Sequence, residues 1–123
     1  MESIRTYVSF DPSKRVVSQK TCFFFIVINR KSVSVDSVEW IDAFNRDAFT
    51  HDEVFIRFHT DGGGIVVSEF DKGFTEAVAA LAGIFPGIER WNDVTPETPL
   101  TEAGLTLWTR PRGSDSENAT RLD

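Results

Sequence analysis

His51, Asp52, Glu53 and His59 fall within nine residues, and each is a side chain that could ligate a metal or move a proton. A metal site needs its ligands to converge, as two histidines do at i and i+4 on a helix. Here His51 falls in a polar stretch and His59 in a strand pattern, so the spacing predicts solvated side chains and no bound metal or other cofactor. Glu39, Asp42, Asp47, Asp52 and Glu53 would include an acid–base pair only if one were held against an apolar wall that raised its pKa. Their density in and around a predicted loop points instead to a hydrated acidic surface. No G-x-S-x-G elbow presents a serine. The lone Cys22 sits in the run CFFFIVI, where a thiol reads as a small buried hydrophobe. The glycines of TDGGGIVV lack the Lys and Ser/Thr of a phosphate loop and lead into a strand pattern, which makes them a hairpin turn. No catalytic residue is expected. The alternative is a small enzyme built on His51, His59 and the neighbouring carboxylates.

The formal charge of the 123 residues is −6, and their thirteen basic residues read as scattered along the chain. Affinity for a polyanion comes from lysine and arginine displacing counterions, so nucleic acid is excluded as a partner and an anionic membrane is disfavoured on the same ground. A basic or neutral protein suits the charge better. The first residues, MESIRTYVSF, carry no basic segment followed by an apolar one, so a cytoplasmic location is expected. The longest apolar run, residues 22–28, is far short of the roughly 20 residues of a spanning helix.

The elements that would position these side chains are mostly strands. Residues 4–10 alternate loosely and DPSKR turns the chain; residues 21–28 are apolar on both faces, which predicts a central or doubly covered strand. NRKS (29–32) reads as a turn, VSVDSVEWIDAF as two short strands or one bent one, and residues 45–53 as a loop. Residues 54–60 alternate cleanly, with Val54, Ile56 and Phe58 opposite Phe55, Arg57 and His59, and residues 65–70 return after DGGG. Asp71 is the expected N-cap of a helix over about 71–85, whose Phe74, Ala77, Val78, Leu81, Ile84 and Phe85 make an inward stripe, with Pro86 and Gly87 as the stop. A loop anchored by Ile88, Trp91 and Leu100 follows, then a last strand in LTLWTR. The fold class is therefore α+β, mainly β: an antiparallel bent sheet or roll of six or seven strands capped by one amphipathic helix. Residues 1–110 form one globular domain and 111–123 a polar tail. The three tryptophans are expected in the core.

That order of elements resembles the pleckstrin-homology-like fold, and the segments SVEW (37–40), EVFIRFHTDGGGIVVSEF (53–70) and FPG (85–87) resemble small uncharacterised bacterial proteins of that kind. The resemblance spans residues 4–91. It implies a scaffold used more for binding than for catalysis, and such acidic bacterial proteins include immunity partners that neutralise a toxin. This chain departs from the pattern by continuing past the helix to LTLWTR, and it lacks the basic loop of phosphoinositide-binding relatives. Two surfaces are expected to meet a protein partner. One is the acidic segment with Asp42, Asp47, Asp52 and Glu53; the other is the outer helix face with Glu76, Ala79, Ala80 and Gly83, whose small residues would admit a partner or a second copy of the chain.

Overall fold

The structure, a computed structural model, describes residues 4–47, 52–93 and 102–111. Seven strands among them form two antiparallel sheets that do not close into a barrel. The first sheet has the order β1-β2-β3, with β1 over Ile4–Asp11, β2 over Val16–Phe23 and β3 over Ile26–Ser34. A 3-10 turn at Val35–Ser37 leads to the second sheet, ordered β6-β5-β4-β7, with β4 over Val38–Asp47, β5 over Asp52–Thr60, β6 over Gly63–Ser68 and β7 over Glu102–Thr109. Between β6 and β7 run the helix α1, Phe74–Leu81, and a second 3-10 turn, Ile88–Asp93. The helix is thus followed by a strand that pairs with β4 in the middle of the second sheet.

Alternation places one face of each strand in a shared core. Val8, Val17 and Val33 come from the first sheet, and Ile41, Ala43, Ile56, Phe58, Ile65, Val67 and Leu107 from the second. Helix residues Phe74, Ala77, Val78 and Leu81 close it, with Phe85 and Ile88 from the turns beyond. The inward stripe is therefore as the 3.6-residue period predicts, and burying it supplies the main drive for so short a helix. The ends differ from expectation. The helix begins at Phe74 behind Gly73, which takes a φ of 87° and offers no capping side chain. Asp71 instead accepts hydrogen bonds from the Ser68 amide and from Gln19 Nε2, tying the β6 turn to β2. At the other end the helix stops at Leu81, and residues 82–87 continue as turns.

Three further expectations are corrected. NRKS is not a turn but part of β3. Residues 45–47 and 52–53 are not loop but the ends of β4 and β5; residues 48–51, His51 among them, lie outside the described residues. The tail from 112 onward also lies outside them. The largest difference is at residues 21–28, which form no central strand. They hold the end of β2, a two-residue turn at Phe24–Phe25 and the start of β3. The pairing Val17↔Val33, whose side chains reach the core, fixes the register of this hairpin and puts the apolar run at its far end.

Candidate functional site

The histidine and carboxylate chemistry suggested by the sequence resolves into a cross-strand ladder on the face of β4 and β5 turned away from the core. Trp40 pairs with His59, Asp42 with Arg57 and Phe44 with Phe55. The Trp40 and His59 rings stack at 3.7 Å, and those of Phe44 and Phe55 at 5.0 Å. Between them Asp42 is buried. Its Oδ1 accepts from Arg57 Nε at 3.2 Å and His59 Nε2 at 2.8 Å, and its Oδ2 from Arg57 Nη2 at 2.6 Å. The Arg57 guanidinium also lies 4.4 Å from the centre of the Phe44 ring. Burial pushes the Asp42 carboxyl up, but the hydrogen bonds from Arg57 and His59 outweigh it and hold the pKa below the ordinary value of 3.8.

A carboxylate bonded to an imidazole is half of a nucleophile-activating triad, so the missing half decides the chemistry. Among the described residues no hydroxyl or thiol is hydrogen-bonded to His59. Beside it, Arg57, His59, Gly63 and Gly64 line only a shallow depression of about 260 Å³. Nor do three metal-ligating side chains gather anywhere among the described residues. The ladder is what cross-strand pairing yields when aromatic and opposite-charge pairs stack in register, and its effect is to hold β4 on β5.

The other expected site residues separate in the same way. Asp42 is sequestered from solvent and does not belong to a hydrated acidic surface. Asp47 and Asp52 pair at the end of β4 and β5, with side chains outside the description. Glu53 is half-buried and accepts a hydrogen bond from the Ser68 hydroxyl. Glu76, Ala79 and Ala80 are exposed on the helix, as expected for its outer face, and Gly83, expected there too, is exposed in the turn beyond its end. Glu76 and Ala80 border a groove of about 350 Å³ against Val8, Ser9 and Phe10 of β1. Trp91 and Trp108 pack on the core as anticipated, whereas Trp40 keeps 38% of its surface exposed.

What sequence reasoning missed is the apex of the β2–β3 hairpin. Phe25 is fully exposed (100%), Ile26, Phe24 and Ile28 are more than half exposed, and Phe23 and Val27 stand at 41% each. Ile4, opposite Phe23 on β1, adds to the patch. The turn itself breaks the usual rule. Its first residue, Phe24, has φ 57°, a left-handed conformation that two-residue hairpins normally give to glycine, asparagine or aspartate. A break in register between Thr21 and Cys22 leaves Ile28 as an extra residue on β3. Cys22 is half-exposed here and no core residue.

Behind the apolar apex the strands themselves carry basic side chains. Lys20 and Arg30 face each other across the strands, Arg5 lies opposite Cys22, and Lys31 opposite Gln19. All four are exposed, and among the described residues none has a carboxylate within ion-pairing distance. Residues 4–34 hold six basic residues and one acidic residue, a net +5, and the remainder of the chain holds seven and eighteen, a net −11. The stretch that forms the first sheet therefore carries a basic surplus, a pattern that a chain-wide average conceals. In comparisons with known proteins, the chain matches no family model, no curated sequence and no solved structure.

Proposed function

We propose that this chain is a non-catalytic binding module whose contact surface is the apex of the β2–β3 hairpin. The observation that carries the reading is the run of six consecutive apolar residues, Phe23 to Ile28, held in solvent by a hairpin whose base is locked into the core. Isolated exposed hydrophobes are ordinary on a protein surface, but a contiguous patch rimmed by charge marks a place where something docks. Strain at Phe24 supports the same reading, because a backbone in a costly conformation persists where the side chain it presents is needed. The ladder around Asp42 has the contacts of a structural brace, and the module needs no reaction from it.

The test is a photoreactive phenylalanine analogue at position 25, introduced into the full chain in its native cell. Binding at the apex predicts an adduct with one species, whether lipid, protein or a second copy, that disappears when Phe24→Ser is added. An adduct no stronger than that from the same group placed at Asp61, which is exposed at the β5–β6 turn, would refute the reading.

A further inference from the structure

The chemistry around the apex narrows what it binds. We infer that the β2–β3 hairpin inserts into an anionic lipid surface, with Phe24 and Phe25 entering the acyl boundary and Arg5, Lys20, Arg30 and Lys31 resting on the headgroups. This inference rests on the binding reading above and names its partner.

Dimensions support it first. A strand advances about 3.3 Å per residue, so the Lys20–Arg30 rung stands about 13 Å behind the Phe24–Phe25 turn. The apolar part, from Cys22 and Val27 outward, reaches about 7–10 Å, which matches the 5–10 Å to which interfacial segments sink while their basic residues stay at headgroup level. Lys20 and Arg30 repel each other as directly opposed like charges, a cost that a layer of anionic headgroups relieves. The Lys20 ammonium lies 5.7 Å from the centre of the Tyr7 ring, so that rung ends in an amphipathic aromatic of the kind that favours the membrane interface.

Other occupants fit less well. A second copy pairing along the open edge of β3 would cover that strand's backbone but leave Phe25, at the tip, in water. Arg30 and Lys31 on that strand also have the place of charges that discourage edge pairing. A protein partner would need a deep socket, because the apex is apolar on both faces of the hairpin, whereas lipid accepts such a finger without matching its shape. The overall charge of −6 is no obstacle. Val17 and Val33, where the hairpin meets the core, stand about 25 Å from the apex, and Asp71, held by Gln19, about 16 Å, whereas Arg5, opposite Cys22, and the Lys20–Arg30 rung stand about 7 and 13 Å from it. Arg5, Lys20 and Arg30 are therefore the charges the membrane meets first.

The experiment is vesicle flotation of the full chain with phosphatidylcholine alone and with phosphatidylcholine containing about one-third phosphatidylserine, at about 0.15 M salt and at high salt. The expected result is binding to the anionic vesicles that weakens in high salt. Phe24→Ser/Phe25→Ser should lower it by roughly two orders of magnitude, and Lys20→Glu/Arg30→Glu should abolish the preference for phosphatidylserine. Both variants alter exposed side chains, and a melting temperature close to that of the parent shows that the fold is kept. No flotation, or flotation that the Phe24→Ser/Phe25→Ser variant retains, overturns the lipid assignment. If the position-25 adduct then proves to be a protein or a second copy, the binding reading stands with another partner; with no adduct either, both fall.

Discussion

Asp42→Asn isolates the charge of the one carboxylate buried among the described residues while keeping its shape. Three hydrogen bonds converge on it, two from Arg57 and one from His59. Removing one member of a fully buried ion pair costs about 3–5 kcal/mol, chiefly because its partner is left charged and dry. Here the partners are not dry: the Arg57 and His59 side chains keep 41% and 28% of their surface exposed, so both can turn to water. An asparagine oxygen still accepts one bond. We therefore expect a loss of about 1–2 kcal/mol, a fall in melting temperature of about 4–8 °C for a domain of this size. Thermal unfolding followed by circular dichroism measures it, and pH supplies a second axis. The folded pKa of Asp42 is lowered from 3.8, so its stabilisation is fully present above that value and is lost as pH falls through the folded pKa. The gap between parent and Asp42→Asn should be present at about pH 5 and close as the pH falls below 3.8 through the folded pKa. An unchanged melting temperature at neutral pH, or a gap that stays undiminished well below pH 3.8, would refute the brace. Vesicle binding should not change, since the ladder and the hairpin apex lie on different sheets.

Phe24→Gly removes both an aromatic ring from the apex and the left-handed strain beneath it, so it should leave stability unchanged or raise it by about 1 kcal/mol while weakening flotation; a clear fall in melting temperature would contradict the strained turn. Gly87→Ala should destabilise by about 2 kcal/mol or more, because Gly87 sits at φ 110° and an added Cβ would lie 2.4 Å from the Leu107 carbonyl oxygen. Gly83→Ala, where a Cβ meets nothing within 4 Å, should be neutral to slightly stabilising, both glycine variants being read by urea titration beside the parent. Phe85→Ala should cost about 3–5 kcal/mol, since its ring is buried against Phe58 and Trp108; a loss under about 1 kcal/mol would show that the turn after the helix is not part of the core.

The parts of the fold that the sequence discloses are those where one physical signal acts alone. Clean alternation in Val54–Thr60 and the glycines after it specify the β5–β6 hairpin, and the 3.6-residue stripe specifies which helix residues face inward. Caps and loop limits are less legible. Asp71 has the chemistry of an N-cap, but the same carboxylate also suits a turn that holds Gln19, and that tertiary contact prevails. Residues 45–53 are polar enough for a loop, yet β4 and β5 extend through both ends of the segment because pairing satisfies the backbone regardless of side-chain polarity. The ladder around Asp42 follows once register is known, since Asp42 and Arg57 become direct neighbours only when Ile41 is set against Phe58.

The apex is the instructive failure. Hydrophobicity alone assigns CFFFIVI to the interior, and the rule that tight turns favour glycine and asparagine argues against a turn at Phe24–Phe25. Both inferences assume that every stretch of the chain is chosen for the stability of the isolated fold. The Lys20–Arg30 symmetry about the centre of the run carries the opposing signal: basic residues at matched distances on either side of an apolar centre are what a hairpin presents when its tip leaves water and its flanks do not. Net charge obscured this for the same reason that mean hydropathy did, since each averages over distances longer than those at which a surface acts. Arg5, Lys20 and Arg30 lie nearer the apex than the Asp71 carboxylate held by Gln19, so a bilayer at the tip meets them first. A chain with the composition of an acidic globular protein thus carries a local amphipathic finger of opposite charge: both sheets close the core, and the first also extends the finger beyond it.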